Sequence, residues 1–252
     1  MDAPALSVRG LEKSFGGRPV LAGVDLDVAR GESVVIIGRS GGGKSVLLKH
    51  LVGLVKPDKG TVRVLGEDVT AWTSAQWIAL RGRVGMVFQG AALFDSLTVG
   101  ENVAMGIRVR KRLAPDEERT LVRERLAQVG LVDVDHLKPA SLSGGMKKRV
   151  ALARAVATDP EVLLYDEPTT GLDPIMADVI NRLIRSLQKQ FGLTSVVVTH
   201  DMTSAYFVGD RIAYLHQGRV HAQGTPDEIR HSEDPLVRAF VEGKSQGLAV
   251  AH

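Results

Sequence analysis

The chain of 252 residues contains no cysteine, which excludes a disulfide framework, thiolate catalysis and cysteine-ligated zinc. Long apolar runs are missing too. The longest stretch free of charged side chains, Val69 to Leu80, holds 12 residues, well short of the roughly 18–20 that cross a bilayer, so no segment spans a membrane alone. Aromatics are scarce at 4%, too few for a platform on which successive bases stack. Neither sign of charge dominates: 32 basic against 29 acidic side chains leave +3, and nucleic acid is not expected as a partner. The opening MDAPALSVRG has neither the basic nor the apolar region of a secretory leader, so cytoplasmic residence is the expectation.

Glycine, by contrast, is abundant, with 27 residues where about 7% is usual. At roughly 150 residues per domain the length allows one large domain or two small ones. A chain of this size buries about 70% or more of its unfolded surface without help from metal or disulfide.

Val24 to Val28 alternates apolar and polar side chains, the period of a half-solvated antiparallel strand. Val34–Ile37, Val84–Phe88, Val162–Tyr165 and Val196–Val198 are short and continuously apolar, as strands of a parallel sheet covered on both faces must be. Helical patterns lie between them, at Lys44–Leu54, Glu117–Val129, Gly144–Thr158 and Asp178–Gln190. The chain reads as α/β. No strong buried-strand run occurs between Gln89 and Ala140, and about 90 to 160 is expected to be a helical insert on a core of 1–89 and 161–241, with 242–252 a loose tail.

Gly38, Arg39, Ser40, Gly41, Gly42, Gly43, Lys44 and Ser45 follow an apolar strand, precede a helix and fit G-x-x-x-x-G-K-[ST]. Glycines let consecutive N–H groups curl around phosphate oxygens, and the helix start adds its positive dipole end. Lys44 reaches the β and γ phosphates, and Ser45 offers a hydroxyl to Mg²⁺. A plain glycine-rich turn with a surface lysine is the bland alternative. Asp166 and Glu167 close the apolar run from Val162, placed to hold Mg²⁺ and to polarise the water that attacks the γ phosphate. Gln89 and His200 each follow an apolar run as well. Parallel open sheets bind ligands beyond the carboxyl ends of their strands, so all these groups are expected at one edge. His50, His136, His216, His221, His231 and His252 read as structural or surface residues.

Leu142-Ser143-Gly144-Gly145-Met146 supplies a second glycine-bearing helix start, with Ser143 as N-cap and Met146, Val150, Ala153 and Ala157 on one apolar face. Two phosphate-binding helix ends in one chain make sense if two copies pack head to tail, each closing the other's site. An ordinary capped helix with Lys147, Lys148, Arg149 and Arg154 as a solvated face is the alternative.

With the phosphate loop, Gln89, Leu142–Met146, Tyr165-Asp166-Glu167-Pro168, Gly171-Leu172-Asp173 and His200 in this order, the chain resembles the ATP-binding cassette of ABC transporters over roughly Leu6 to Val241. The resemblance implies a P-loop NTPase fold: a mostly parallel core sheet, an N-terminal antiparallel β part and a helical subdomain. It implies ATP and Mg²⁺ as cofactors, with Ser45, Gln89 and Asp166 on the metal and Glu167, His200 and Gln89 catalytic. Phe15 stands where the family stacks an aromatic on adenine, followed by Val20; a buried core Phe is the alternative. Ser143 to Gly145 looks like the signature, and Thr170 to Asp173 like the D-loop, with Asp173 facing nucleotide.

Met146 as the last signature residue, together with Phe88–Phe94 and Asp234–Phe240, is similar to the ATPase subunits of Mla/Mce-type phospholipid transporters, the MlaF-like group. That narrower resemblance implies phospholipid transport linked to outer-membrane lipid asymmetry. Its implied partners are a second copy, an MlaE-like permease, a small MlaB-like subunit and an Mce-type lipid-binding protein, and its implied place is the cytoplasmic face of the inner membrane, held there by the permease. Ala91 to Phe94 is expected to line a groove for a partner helix, with Phe94 alternatively plain core. Another ABC importer or exporter, and a soluble assembly-type ABC ATPase, are the other readings.

Overall fold

The structure, a computed structural model, describes residues 3–244; residues 245–252 of the expected tail lie outside the described residues. Two sheets are stacked. The first is antiparallel, with strands β1 (Leu6–Phe15), β2 (Arg18–Val28), β4 (Lys59–Val64) and β5 (Glu67–Asp68) in the order β2-β1-β4-β5. Val24, Leu26 and Val28 of β2 are buried and Asp25 is exposed, as their alternation requires.

The second sheet runs β10-β9-β3-β8-β7-β6. Its strands β3 (Ser33–Ile37), β6 (Val84–Val87), β7 (Val162–Asp166), β8 (Thr194–Val198) and β9 (Arg211–His216) are parallel, and β10 (Arg219–Gly224) pairs antiparallel at the edge. Every residue of β3, β7 and β8 is buried because both faces are covered. Val34 and Ile36 pack with the antiparallel sheet and helix α1 (Lys44–Leu51), whereas Val35 and Ile37 join a second core built with helices. Helix α1 stops short of Leu54, whose N–H folds back onto the carbonyl of Lys49 at 2.9 Å.

The remaining helices are α2 (Ser74–Arg81), α3 (Val99–Arg110), α4 (Pro115–Gln128), α5 (Gly144–Val156), α6 (Pro174–Phe191), α7 (Met202–Val208), α8 (Pro226–Arg230) and α9 (Pro235–Val241). Between β6 and β7 the described chain is helix and loop only: α3, α4, a 3-10 turn at Pro139–Ser141, and α5. Asn102, wholly buried on α3, accepts from the Phe94 N–H and donates to the carbonyls of Phe94 and Thr98, which fixes the turn before α3. No helix among the described residues is long and apolar enough to cross a membrane.

Candidate functional site

The carboxyl ends of the parallel strands line up. Ile36 and Asp166 both pair with Val198, and Val87 pairs with Tyr165, so the segments that follow β3, β6, β7 and β8 emerge at one edge. Gly38 leaves β3 so close to β9 that a Cβ there would lie 2.4 Å from the Leu215 carbonyl oxygen. Gly43 has φ +94°, and a Cβ on it would meet the Leu21 side chain at 2.8 Å and the Val20 carbonyl at 2.9 Å. Val20 therefore packs directly on the loop, while Arg39, Ser40 and Gly41 form its exposed rim.

Lys44 opens α1 and is 5% exposed. Its ammonium donates to the carbonyls of Gly38 at 2.8 Å and Arg39 at 3.0 Å and lies 4.0 Å from Glu167 Oε1. Burial holds its pKa below the usual lysine range, against the opposing pull of Glu167 and Asp166. The Ser45 hydroxyl donates to Asp166 Oδ1 at 2.7 Å. Glu167 is buried, and its backbone sits in the left-handed region at φ +49°, with its N–H bonded to the Val198 carbonyl at 2.9 Å. Its carboxylate accepts from Thr170 Oγ1 at 3.1 Å and lies 2.8 Å from His200 Nδ1. The loop, Lys44, Ser45, Asp166, Glu167 and His200 are thus one constellation. Gln89 is exposed on the same edge, and its carbonyl accepts from the Lys148 ammonium.

A second cluster forms elsewhere. Ser143 caps α5 by accepting from the Met146 N–H at 3.2 Å, and Asp173 caps α6 by accepting from Ile175 and Met176 at 3.0 Å each. The two helix starts touch: a Cβ on Gly145 would meet Met176 Cε at 2.5 Å, and one on Gly144 would be 3.8 Å from Leu172. Among the described residues no hydrogen bond joins Ser143–Gly145 to the Gly38–Ser45 loop.

Phe15 is 48% exposed at the end of β1, with the Lys13 ammonium 5.5 Å above its ring. It is not a core residue. Phe94 is half exposed as well, while Ala91 beside it is buried. The solvated-face alternative for α5 fails: Lys148 is 7% exposed, Arg154 donates to the carbonyls of Ala92 at 2.7 Å and Ala91 at 2.9 Å, and Arg149 bonds the Gly130 carbonyl. The signal for this was present in the sequence. Val150 to Ala153, Ala155 and Val156 are apolar on every side of α5, so a helix that carries them has no wholly solvated face.

A glycine loop feeding a helix, a buried lysine, a serine–aspartate pair and a braced carboxylate at the open end of a parallel sheet define a phosphate-loop ATPase. The particular branch follows from comparison. The sequence profile described as ABC transporter matches residues 21–170, and the chain belongs to that family as an ATP-hydrolysing, ATP-binding subunit. It is 37% identical to the intermembrane phospholipid transport system ATP-binding protein MlaF of Haemophilus influenzae, covering 98% of this chain and 94% of that protein. It is 40% identical to the sulfate/thiosulfate import ATP-binding protein CysA of Caulobacter vibrioides, over 94% of this chain and 69% of the relative. In structure it is similar to the ATP-binding cassette MJ0796 in a dimeric post-hydrolysis state bound to ADP and Pi, with TM-score 0.82, 34% identity, and 88% and 98% of the two chains covered.

Proposed function

We propose that the chain powers phospholipid transport as the ATPase of an Mla-type ABC system, working as a dimer with ATP sandwiched between copies and docked on a membrane permease. One observation carries the catalytic part: the Glu167 carboxylate is held by Thr170 and His200 next to the buried Lys44 of the phosphate loop. In this reading Lys44 and the loop N–H groups bind the β and γ phosphates, Phe15 and Val20 contact the base, and Glu167 accepts the proton of the attacking water. His200 keeps that carboxylate aimed. Ser143–Gly145 and Asp173 serve the nucleotide of the other copy, a role supported by their separation from the chain's own loop and by the dimeric relative.

The site suits Mg²⁺. Ser45 Oγ and Asp166 Oδ1 are hard oxygen donors in direct contact beside the loop, and Gln89 stands exposed on the same edge, a donor set this cation accepts when phosphates and water complete it. Bound there, Mg²⁺ neutralises charge on the phosphates.

The lipid assignment is supported by the end-to-end match to MlaF. Import of a polar solute is the second reading, favoured by the CysA relative at similar identity. Half-exposed Phe94 beside the Ala91–Ala92 backbone supports a groove for the permease, and an MlaB-like subunit and an Mce-type protein complete the proposed assembly at the inner membrane. The test is isolation of the Glu167→Gln chain from native membranes with ATP present. Loss of turnover together with recovery of a permease and phospholipid is expected. Near-normal hydrolysis by that variant removes the role of Glu167, and recovery of a solute permease removes the lipid assignment.

A further inference from the structure

Four ionisable side chains are buried around the end of β7: Lys44 at 5%, Lys148 at 7%, Asp166 at 7% and Glu167 at 9% exposure. Their charges cancel, two positive against two negative. Lys44, Asp166 and Glu167 belong to the phosphate-loop site, whereas Lys148 comes from α5, the helix that Ser143 caps. Its ammonium reaches out of that helix and donates to two main-chain carbonyls, those of Gln89 and, at 3.4 Å, of Glu167. A buried ammonium is retained only where it is hydrogen-bonded and charge-compensated, and here both conditions are met by the segments that carry the proposed catalytic groups.

The Glu167 peptide needs such support. A non-glycine residue at φ +49° is strained backbone and persists only when its surroundings over-determine it. Its N–H is tied to Val198 and its carboxylate to Thr170 and His200, and its carbonyl is tied to Lys148. Gln89 has its carbonyl on the same ammonium, and the neighbouring carbonyls of Ala91 and Ala92 are held by Arg154 of the same helix. Helix α5 thus holds three carbonyls of the Gln89 segment, through Lys148 and Arg154, and one of the Glu167 peptide.

We infer that Lys148 is a positioning residue for hydrolysis: it fixes the Glu167 peptide and the Gln89 segment to α5, so that the placement of the Ser143 helix end sets the aim of the Glu167 carboxylate. The inference rests on the hydrolytic role proposed above for Glu167. It predicts a defect in turnover with nucleotide binding intact, since Lys148 touches main chain and not the phosphate loop.

The test compares Lys148→Met, Lys148→Arg and Glu167→Gln in the full chain, by steady-state hydrolysis and by amide hydrogen exchange without nucleotide. Lys148→Met is expected to lower kcat at least tenfold with KM within threefold of the parent, and to speed exchange in the peptides around Gln89 and Glu167. Lys148→Arg, which keeps charge and donors, is expected to recover most of both. Lys148→Gln carries the same expectation as Lys148→Met should the latter fail to fold. A kcat within threefold of the parent in Lys148→Met, unchanged exchange around Glu167, or an arginine variant no better than methionine overturns the inference. If Glu167→Gln abolishes turnover in the same assay while Lys148→Met does not, only the role of Lys148 falls. If Glu167→Gln stays active, the hydrolytic reading falls first.

Discussion

At the scale of single residues, position in the fold separates groups of identical chemistry. Lys44 and Lys147 are both lysines near a helix start, but only Lys44 is buried, with its ammonium turned onto the loop carbonyls. Phe15 is a sharper case, because composition says nothing about whether an aromatic stacks on a ligand or fills a core. Half exposed at a strand end, it has little core packing to lose. Phe15→Ala is therefore expected to change folding stability by less than about 0.5 kcal/mol, as surface substitutions do, while weakening ATP binding by about 1–3 kcal/mol, the usual worth of one stacked base. Equilibrium unfolding and nucleotide titration of the same preparation check the two numbers; a large stability loss with unchanged affinity would return Phe15 to the core. The phosphate loop, Asp166, Glu167 and His200 were legible in the sequence because each is tied to a strand end by its apolar run. For Lys148 and Arg154 the apolar residues on every side of α5 signalled burial, but their carbonyl partners, 59 to 63 positions away at Gln89, Ala91 and Ala92, were not legible.

Most of the parallel strands were legible because burial makes them apolar runs, although β9, whose Ile212–Leu215 is just such a run, is not among those named from sequence. Strands β3, β6, β7 and β8 stand out as apolar runs because both faces of the parallel sheet are covered, one by helices and the other by the antiparallel sheet with α1. Strands β1, β4 and β10 carry exposed residues at alternate or irregular positions, and β1 is broken by register shifts, so no clean period marks them. The short helices α2, α7 and α8 offer too few turns for a periodic signal. The helical region between β6 and β7 depends on one close crossing. On α3, a Cβ at Gly106 would lie 2.6 Å from the Arg154 carbonyl of α5 and 3.4 Å from Ala157 Cβ. Gly106→Ala gains about 0.8–1 kcal/mol of helix propensity but must push two packed helices apart, which costs about 1–3 kcal/mol. The clash is with backbone, which cannot rotate away, so a net loss of roughly 1 kcal/mol is expected from urea denaturation at unchanged m-value. A stabilised variant would show that α3 and α5 part at Gly106 without loss.

For the whole molecule, the decisive feature is that one chain carries two glycine-bearing helix starts in separate clusters, Gly38–Ser45 leading into α1 and Ser143–Gly145 at the start of α5. If each nucleotide is closed by the loop of one copy and the Ser143 end of the other, a defect in either cluster silences a homodimer, because every site contains the altered part. Two different defects in two different chains behave otherwise. A dimer of a Lys44→Ala chain with a Ser143→Arg chain has one site with both defects and one site with neither. Each variant alone is expected to hydrolyse ATP at less than a few per cent of the parent rate. Mixing them before dimers form is expected to restore a substantial fraction, bounded by the share of mixed dimers and by one working site in each. Gel filtration of the mixture with ATP checks that dimers are present, so that silence cannot be blamed on failed association. If dimers form and the mixture stays as inactive as its components, the two clusters do not share a nucleotide across the interface, and the head-to-tail arrangement is wrong even though the family assignment stands.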